Sequence, residues 1–478
     1  VSTRGFQSKG AALALIAGFG VVYAVLSRVA LRGFPYSGDE YSCFLQAELF
    51  ARGLLRAPAP AHAELLRVDH VVVDSWVRSK YPPGTAALIA LGIRAGVPWI
   101  VTPIEGVVAL LAVWRTSLAH FGARSAFIAV VTLGLAPLFA LQAATYFAHT
   151  PTTMWLALAL LAVSLWLRSG SSAWPVLGGA AIGCALLTRP GDAAFFAVAL
   201  LALRSRRLVV LTALGMAPFV VAHLAYQAAQ FGSPFADGYH AYEPTFHAIY
   251  GEASGHPLSL AYLVDPKQLA NHLDVLRAFV MEWTLPGSVL FAVVGARAVG
   301  PDHAGRKMRD LAVAIAVITL AMLLVAIADP DDGARPRYLS TTLLPVALLA
   351  GPGWDAAMAA LPGVLGERLT RAAVVFSLLA GPVAVGAFLG RRLPDLWVRS
   401  GLYEQAEEQH IERGVVVVRA EWPTRYARNG PFFDRPVLYL SAPTSMAVAD
   451  VAALYPGVPV YEATEGRRWT LILRTRRD

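Results

Sequence analysis

Apolar stretches long enough to cross a bilayer recur along most of this chain, separated by short polar breaks. About 18 or more largely apolar residues span a hydrocarbon core of about 30 Å as a helix. The first run, Gly10 to Leu31, is too long for the apolar core of a signal peptide. No small-x-small cleavage site precedes Asp39, so this run reads as a retained span. Further spans are predicted at 99–117, 125–145, 151–168, 173–188, 191–203, 207–229, 285–300, 310–328, 338–353 and 371–390, for about eleven crossings in all. The stretch "GTAALIALGIRAG", residues 84–96, is apolar but short for a crossing. Beyond residue 391 the pattern changes. "GVVVVRAEW", "RPVLYLSA", "GVPVYEAT" and "RRWTLILRT" read as strands, and "SMAVADVAALYPG" reads as a helix between them. The expected fold is an all-α polytopic membrane domain, residues 1–390, followed by a small soluble α/β domain, residues 391–478.

Composition agrees with that reading. Of 478 residues, 56% are hydrophobic and 15% are charged, where soluble domains carry about one-quarter charged residues. The net charge of +8 would fit a nucleic-acid partner only if the cations formed a patch. Here they punctuate apolar runs, so they are topology charges, and the expected partners are membrane lipids with no nucleic acid. Arg4 and Lys9 place the N-terminus in the cytoplasm. If 84–96 does not cross, Arg115, Arg124, Arg168, Arg204, Arg206, Arg207, Arg297, Arg306, Lys307, Arg309, Arg368 and Arg371 also face the cytoplasm. Residues 32–98, 230–284 and the tail are then extracytoplasmic, with Arg28, Arg32, Arg391 and Arg392 against the rule. The two cysteines, Cys43 and Cys184, match no metal-binding spacing, and a structural disulfide is not expected.

Chemistry concentrates in the polar breaks. In "FPYSGDEYSCFLQAELFARG", residues 34–53, Ser37 and Glu40 fit a capping box that opens an amphipathic helix. Tyr41, Phe44, Leu45 and Leu49 form its apolar stripe and Gly53 its stop. Capping uses only Glu40 and leaves Asp39 available as a base. In "SKYPPGTAA", the double proline forces a turn at the membrane surface beside Lys80, which either snorkels to headgroups or pairs with a lipid phosphate. "LLTRPGDAA" breaks two short spans at Arg189, a cation at membrane depth for which Asp192 is the local partner. "DPDDGARPRYLSTTLLP" opens another span with Arg335, Arg337 and Tyr338, beside Asp329, Asp331 and Asp332. His149, in "TYFAHTPTT", reads either as a structural residue or as a site residue. The loop "FADGYHAYEPTFHAIY" offers Asp237, His240, Glu243 and His247 in no standard metal spacing. A carboxylate pair and several cations on one membrane face suit displacement of a lipid-linked phosphate.

The acidic pair after the first span, "YPPG", "TRPG" and "RPRYLSTTLLP", in that order, resemble bacterial polytopic glycosyltransferases of the GT-C superfamily. The nearest groups are the protein O-mannosyltransferase-like family and the lipid A aminoarabinose transferases. The likeness covers most of residues 10–390, and the tail's "YPGVPVYEAT" is similar to the outer domain of many members. It implies a multi-pass enzyme of the bacterial inner membrane, with juxtamembrane helices, that moves a monosaccharide from a polyprenyl-phosphate carrier to a lipid, glycan or protein acceptor. Carried over by motif, Asp39 is the catalytic base and Glu40 orients the acceptor or the base. Lys80, Arg189, Arg337 and Tyr338 hold the donor phosphate, while Tyr81 and His149 are acceptor-side candidates. No cofactor is implied with certainty, a divalent metal being used by some relatives. The chain departs from the pattern at "TPIEG", where Glu105 stands in place of an arginine of many relatives. The rival readings are a transporter or flippase of a lipid or anionic solute, and a lipid-linked polysaccharide ligase. A transporter would place paired helix breaks near the midplane, and a ligase would leave Asp39 and Glu40 without a purpose.

Overall fold

The computed structural model describes residues 9–242, 266–297, 302–320, 335–361, 363–420, 423–443, 445–466 and 469–474. Glu243, His247, Asp329, Asp331 and Asp332 lie outside them. Helix dominates, as it must where backbone groups find no water and bond within their own segment. Among the described residues, four helices are long and apolar enough to cross a membrane: Lys9–Ala30, Pro98–Gly134, His149–Ser169 and Arg206–Phe231. Leu269–Trp283 and Ser288–Arg297, meeting at 101°, form a bent fifth candidate. The chain is a multi-pass membrane protein.

The predicted spans map onto these helices with instructive differences. The expected pair 99–117 and 125–145 is present as two helical runs within Val101–Gly134, parted where Gly122 (φ 87°, ψ 175°) leaves helical geometry, and the short helix Pro137–Gln142 follows. The predicted 173–188 and 191–203 are the helices Ala173–Thr188 and Pro190–Ala199, the second extended by a 3-10 turn to Leu203. Each is shorter than a straight crossing needs. Residues 335–342 form a 3-10 segment before the helix Leu343–Ala359. The stretch 84–96 is the helix Pro83–Arg94, entered through Pro82 and Pro83, and proline at a first helical position costs no hydrogen bond.

The chain divides into two compact units. One takes in the described residues of 1–29, 99–224 and 245–388. In it the helix Val101–Gly134 packs against Lys9–Val25, His149–Ser169 and Leu343–Ala359, and buried Tyr23 donates from its hydroxyl to the Gly134 carbonyl at 2.9 Å.

The other unit takes in the described residues of 30–98, 225–244 and 389–478. Its first helix, Gly38–Ala51, buries Tyr41, Leu45 and Leu49 against Val68, Val71 and Val77. Gly53 stops it in the left-handed region (φ 75°), where glycine has no Cβ to clash, and Leu54 N–H closes the end on the Leu49 carbonyl at 3.0 Å. Three short strands, β1 (Ala57–Pro58), β2 (Val71–Val73) and β3 (Trp76–Ser79), pair antiparallel in the order β1-β3-β2. The sequence pattern gives no sign of this sheet because its strands are two to four residues long.

All four predicted strands of the tail are present. They are β4 (Gly414–Arg419), β5 (Val437–Leu440), β6 (Val460–Thr464) and β7 (Thr470–Leu473), in the order β5-β4-β6-β7. β4 runs parallel to both neighbours and is buried on both faces, which is why it reads as an unbroken valine run. Its core is shared: Leu65 and Leu66, from the loop after the first span, pack with Val415, Val417 and Leu440. Each fully buried leucine contributes about 1.5–3 kcal/mol. The predicted boundary at 390/391 falls inside one long helix, Gly363–Glu408, that carries the chain into the tail.

Candidate active site

In the unit that contains the tail, the capping box forms as predicted. Ser37 is the N-cap, with Oγ accepting from Glu40 N–H at 3.1 Å, while Glu40 Oε2 accepts from Ser37 N–H at 3.0 Å. Glu40 is buried and one of its oxygens serves the cap. Asp39 has no part in that exchange. Its Oδ1 accepts from the Tyr81 hydroxyl and lies 3.6 Å from His70 Nε2. Burial first, and then the adjoining Asp39 carboxylate, push the Tyr81 phenol well above its ordinary range, so Tyr81 is a protonated donor at neutral pH.

Polar contacts from the helix Gly38–Ala51 hold this group together. Ser42 Oγ meets the His70 carbonyl at 2.6 Å and Ser79 Oγ at 2.7 Å. Gln46 Oε1 accepts from Ser79 N–H at 3.1 Å. Lys80 Nζ then lies over three tyrosine rings, at 5.3 Å from Tyr81, 4.9 Å from Tyr239 and 4.7 Å from Tyr242. Tyrosine faces attract a cation. Tyr239 and Tyr242 can reach it because residue 238 is glycine: a Cβ there would sit 2.1 Å from the Lys80 carbonyl oxygen. Asp39, Glu40, Lys80 and Tyr81 are therefore brought together, joined by His70, Tyr239 and Tyr242, which sequence reasoning missed. The signal for the two tyrosines is their three-residue spacing in "DGYHAY", which they share with Asp237 and His240. Those two pair with each other at 2.9 Å.

The second group lies in the other unit. Arg189 is extended (φ −143°, ψ 93°) between Ala173–Thr188 and the helix that Pro190 opens. Its Nε donates to Asp192 Oδ2 at 2.6 Å and its Nη1 donates to His149 Nε2 at 2.7 Å. A guanidinium only donates, so His149 accepts there and carries its proton on Nδ1. Thr341 donates to the other Asp192 oxygen. The Arg337 guanidinium lies over Phe147 at 5.4 Å and Tyr338 at 5.3 Å, and that of Arg189 is 6.0 Å from the Tyr338 ring. Arg189, Arg337, Tyr338 and His149 thus form one cluster, with Asp192 as the anionic partner that membrane depth demands.

Both cysteines are free thiols. Among the described residues, no group of three or more His, Cys, Asp or Glu side chains converges to hold a metal ion.

No family model matches the chain, and no curated protein matches its sequence. Solved structures do match. ArnT from Cupriavidus metallidurans bound to undecaprenyl phosphate superposes with a TM-score of 0.62 at 14% identity, covering 96% of this chain and 98% of that one. The apo form of the same protein gives 0.54 at 15% identity, with 94% and 93% covered. The Archaeoglobus fulgidus oligosaccharyltransferase tethered to an acceptor peptide gives 0.52 at 14% identity, covering 91% of this chain and 64% of that one. Both proteins are GT-C superfamily members. At these identities the likeness establishes architecture, and the chain has the GT-C fold.

Proposed function

We propose that this protein is an inverting membrane glycosyltransferase that moves a monosaccharide from a polyprenyl-phosphate carrier to an acceptor hydroxyl. The observation that carries the reading is the Asp39 carboxylate, left out of the helix cap and set beside Tyr81 and His70, with Lys80 over the Tyr81 ring, in a chain of GT-C fold. The ArnT structure with undecaprenyl phosphate supports a lipid-phosphate carrier. Asp39 takes the acceptor proton as that oxygen attacks the anomeric carbon. The bond from that carbon to the phosphate oxygen breaks, and the polyprenyl phosphate leaves with the electron pair. A phosphate monoester is a good leaving group, so it needs positive charge more than an acid. Lys80, over the ring of Tyr81, is proposed to supply such a charge. Arg189, Arg337 and Tyr338 are proposed as donor-phosphate contacts, and Tyr81 and His149 as acceptor-side residues.

The test is incubation of the purified protein with a panel of polyprenyl-phosphate sugars, scoring release of the carrier lipid with and without added divalent cation. Release from none of them, in the presence of lipid, glycan and peptide acceptors, sinks the reading.

The same reading fixes an orientation in the bacterial inner membrane. Pro60→Cys, His240→Cys and Asp450→Cys should label from outside intact cells. Positions 120, 205 and 305 should face the cytoplasm. His120 and Gly305 are buried, so the exposed neighbours Ala123→Cys and His303→Cys replace them beside Ser205→Cys. Labelling of position 123 from outside would mean that Pro83–Arg94 belongs to a crossing, and would overturn the orientation.

A further inference from the structure

The turn that presents Asp39 is gripped by two arginines far away in sequence. Arg399, near the end of the long helix Gly363–Glu408, donates from Nη1 to the Tyr36 carbonyl at 2.6 Å. Arg428, between β4 and β5, donates from Nη2 to the same carbonyl at 2.7 Å. The other edge of that peptide plane is the Ser37 N–H, which donates to Glu40 Oε2 at 3.0 Å. One peptide, Tyr36–Ser37, is therefore fixed on both edges, two residues before Asp39.

The grip is anchored in the tail's sheet. The Arg428 guanidinium lies over Phe34 at 5.2 Å and Tyr41 at 5.3 Å. The Tyr41 hydroxyl donates to the Asn429 carbonyl. The Asn429 side chain in turn bonds both backbone groups of Tyr439 in β5, each at 2.8 Å. Arg428 is only 5% exposed, and its Nη1 is buried with no partner among the described residues. Burying a guanidinium against a neutral carbonyl is costly. Burial pulls both guanidinium groups below their ordinary range, and the Glu40 carboxylate is one of the charges that pull the other way.

We propose that Arg399 and Arg428 are positioning residues: they pin the Tyr36–Ser37 peptide and so aim Asp39 at the acceptor hydroxyl. The tail domain, on this account, is part of the catalytic apparatus and not an appendage. The proposal rests on the transferase reading above, so its test includes a measurement that does not depend on it.

Arg399 is only half-buried, and Arg399→Gln is expected to fold. Hydrogen–deuterium exchange of the peptide covering residues 34–41 should speed up in Arg399→Gln and further in Arg399→Gln/Arg428→Lys. Turnover should fall roughly 10–100-fold with donor KM unchanged, because misplacing a reacting group by about 1 Å costs that much. Arg399→Lys should recover most of the turnover, since the contact uses a single donor. Arg435→Gln, which cuts the exposed 3.1 Å pair with Glu48, should leave both readouts unchanged. Unaltered exchange at 34–41 in Arg399→Gln would overturn the pin. Faster exchange with unchanged kcat, or a higher KM with unchanged kcat, would overturn the positioning role. If the wild-type protein transfers no sugar, the transferase reading fails by itself and the exchange measurement still decides the pin.

Discussion

Asp39→Asn is expected to lower turnover by roughly 10²–10⁴-fold, the typical worth of general base catalysis, with donor-lipid binding close to normal. The substitution is nearly isosteric, and asparagine is compatible with the start of a helix. The cap itself does not involve Asp39, because Ser37 and Glu40 complete it between them. Asparagine's side-chain oxygen can still accept from the Tyr81 hydroxyl, so the local hydrogen bonding survives while the proton acceptor is lost. Glu40→Gln is the control, since glutamine can accept from Ser37 N–H and keep the box. It should cost less than the Asp39 change. Turnover of carrier lipid by each folded variant checks this, with donor binding measured alongside. A folded Asp39→Asn variant that binds donor and transfers sugar at near wild-type rate would return Asp39 to a helix-starting role.

What the sequence made legible was local. The capping box needs only residues 37 to 40, and Gly53 needs only its own φ, so both could be read directly. "TRPG" announced a break because proline cannot continue the helix before it, and Arg189 sits at that break. The valine run of β4 was legible because a strand buried on both faces has no polar alternation. The boundary read at 390/391 lies inside a helix, and the residues that suggested it explain why. Arg391 and Arg392 end the apolar run, and nothing in them stops a helix, so Gly363–Glu408 continues past them.

What stayed hidden depends on chain reversal. His70 follows a plain loop and meets Asp39 only because Ser42 and Ser79 draw β3 and the turn before β2 onto the same helix. Arg428 lies nearly four hundred residues from Tyr36, and no pattern of period two or 3.6 encodes such a contact. Asp192 was visible as the neighbour of Arg189, but its second partner, Thr341, lies on another element altogether.

That shared geometry makes Arg189 the place where a structural and a functional role can be separated. Arg189→Ala should destabilise the fold by about 3–5 kcal/mol, because it leaves the buried Asp192 carboxylate without its cation. Asp192→Asn removes the charge but keeps an acceptor for Thr341, so the double variant Arg189→Ala/Asp192→Asn should recover most of the lost stability. Thermal unfolding in detergent measures that part of the cycle. Donor binding supplies the rest. If Arg189 holds the donor phosphate, the refolded double variant should still bind donor lipid roughly ten- to a hundredfold more weakly, since a lost charge-assisted hydrogen bond costs about 1.5–3 kcal/mol. Arg189→Lys should restore only part of that affinity, because it lacks the planar fork that reaches Asp192 and His149 together. Arg337→Ala removes no carboxylate's partner at Asp192 and should weaken donor binding by a similar factor with less effect on unfolding. Full recovery of donor affinity in the double variant would leave Arg189 as the neutralising partner of Asp192 and nothing more.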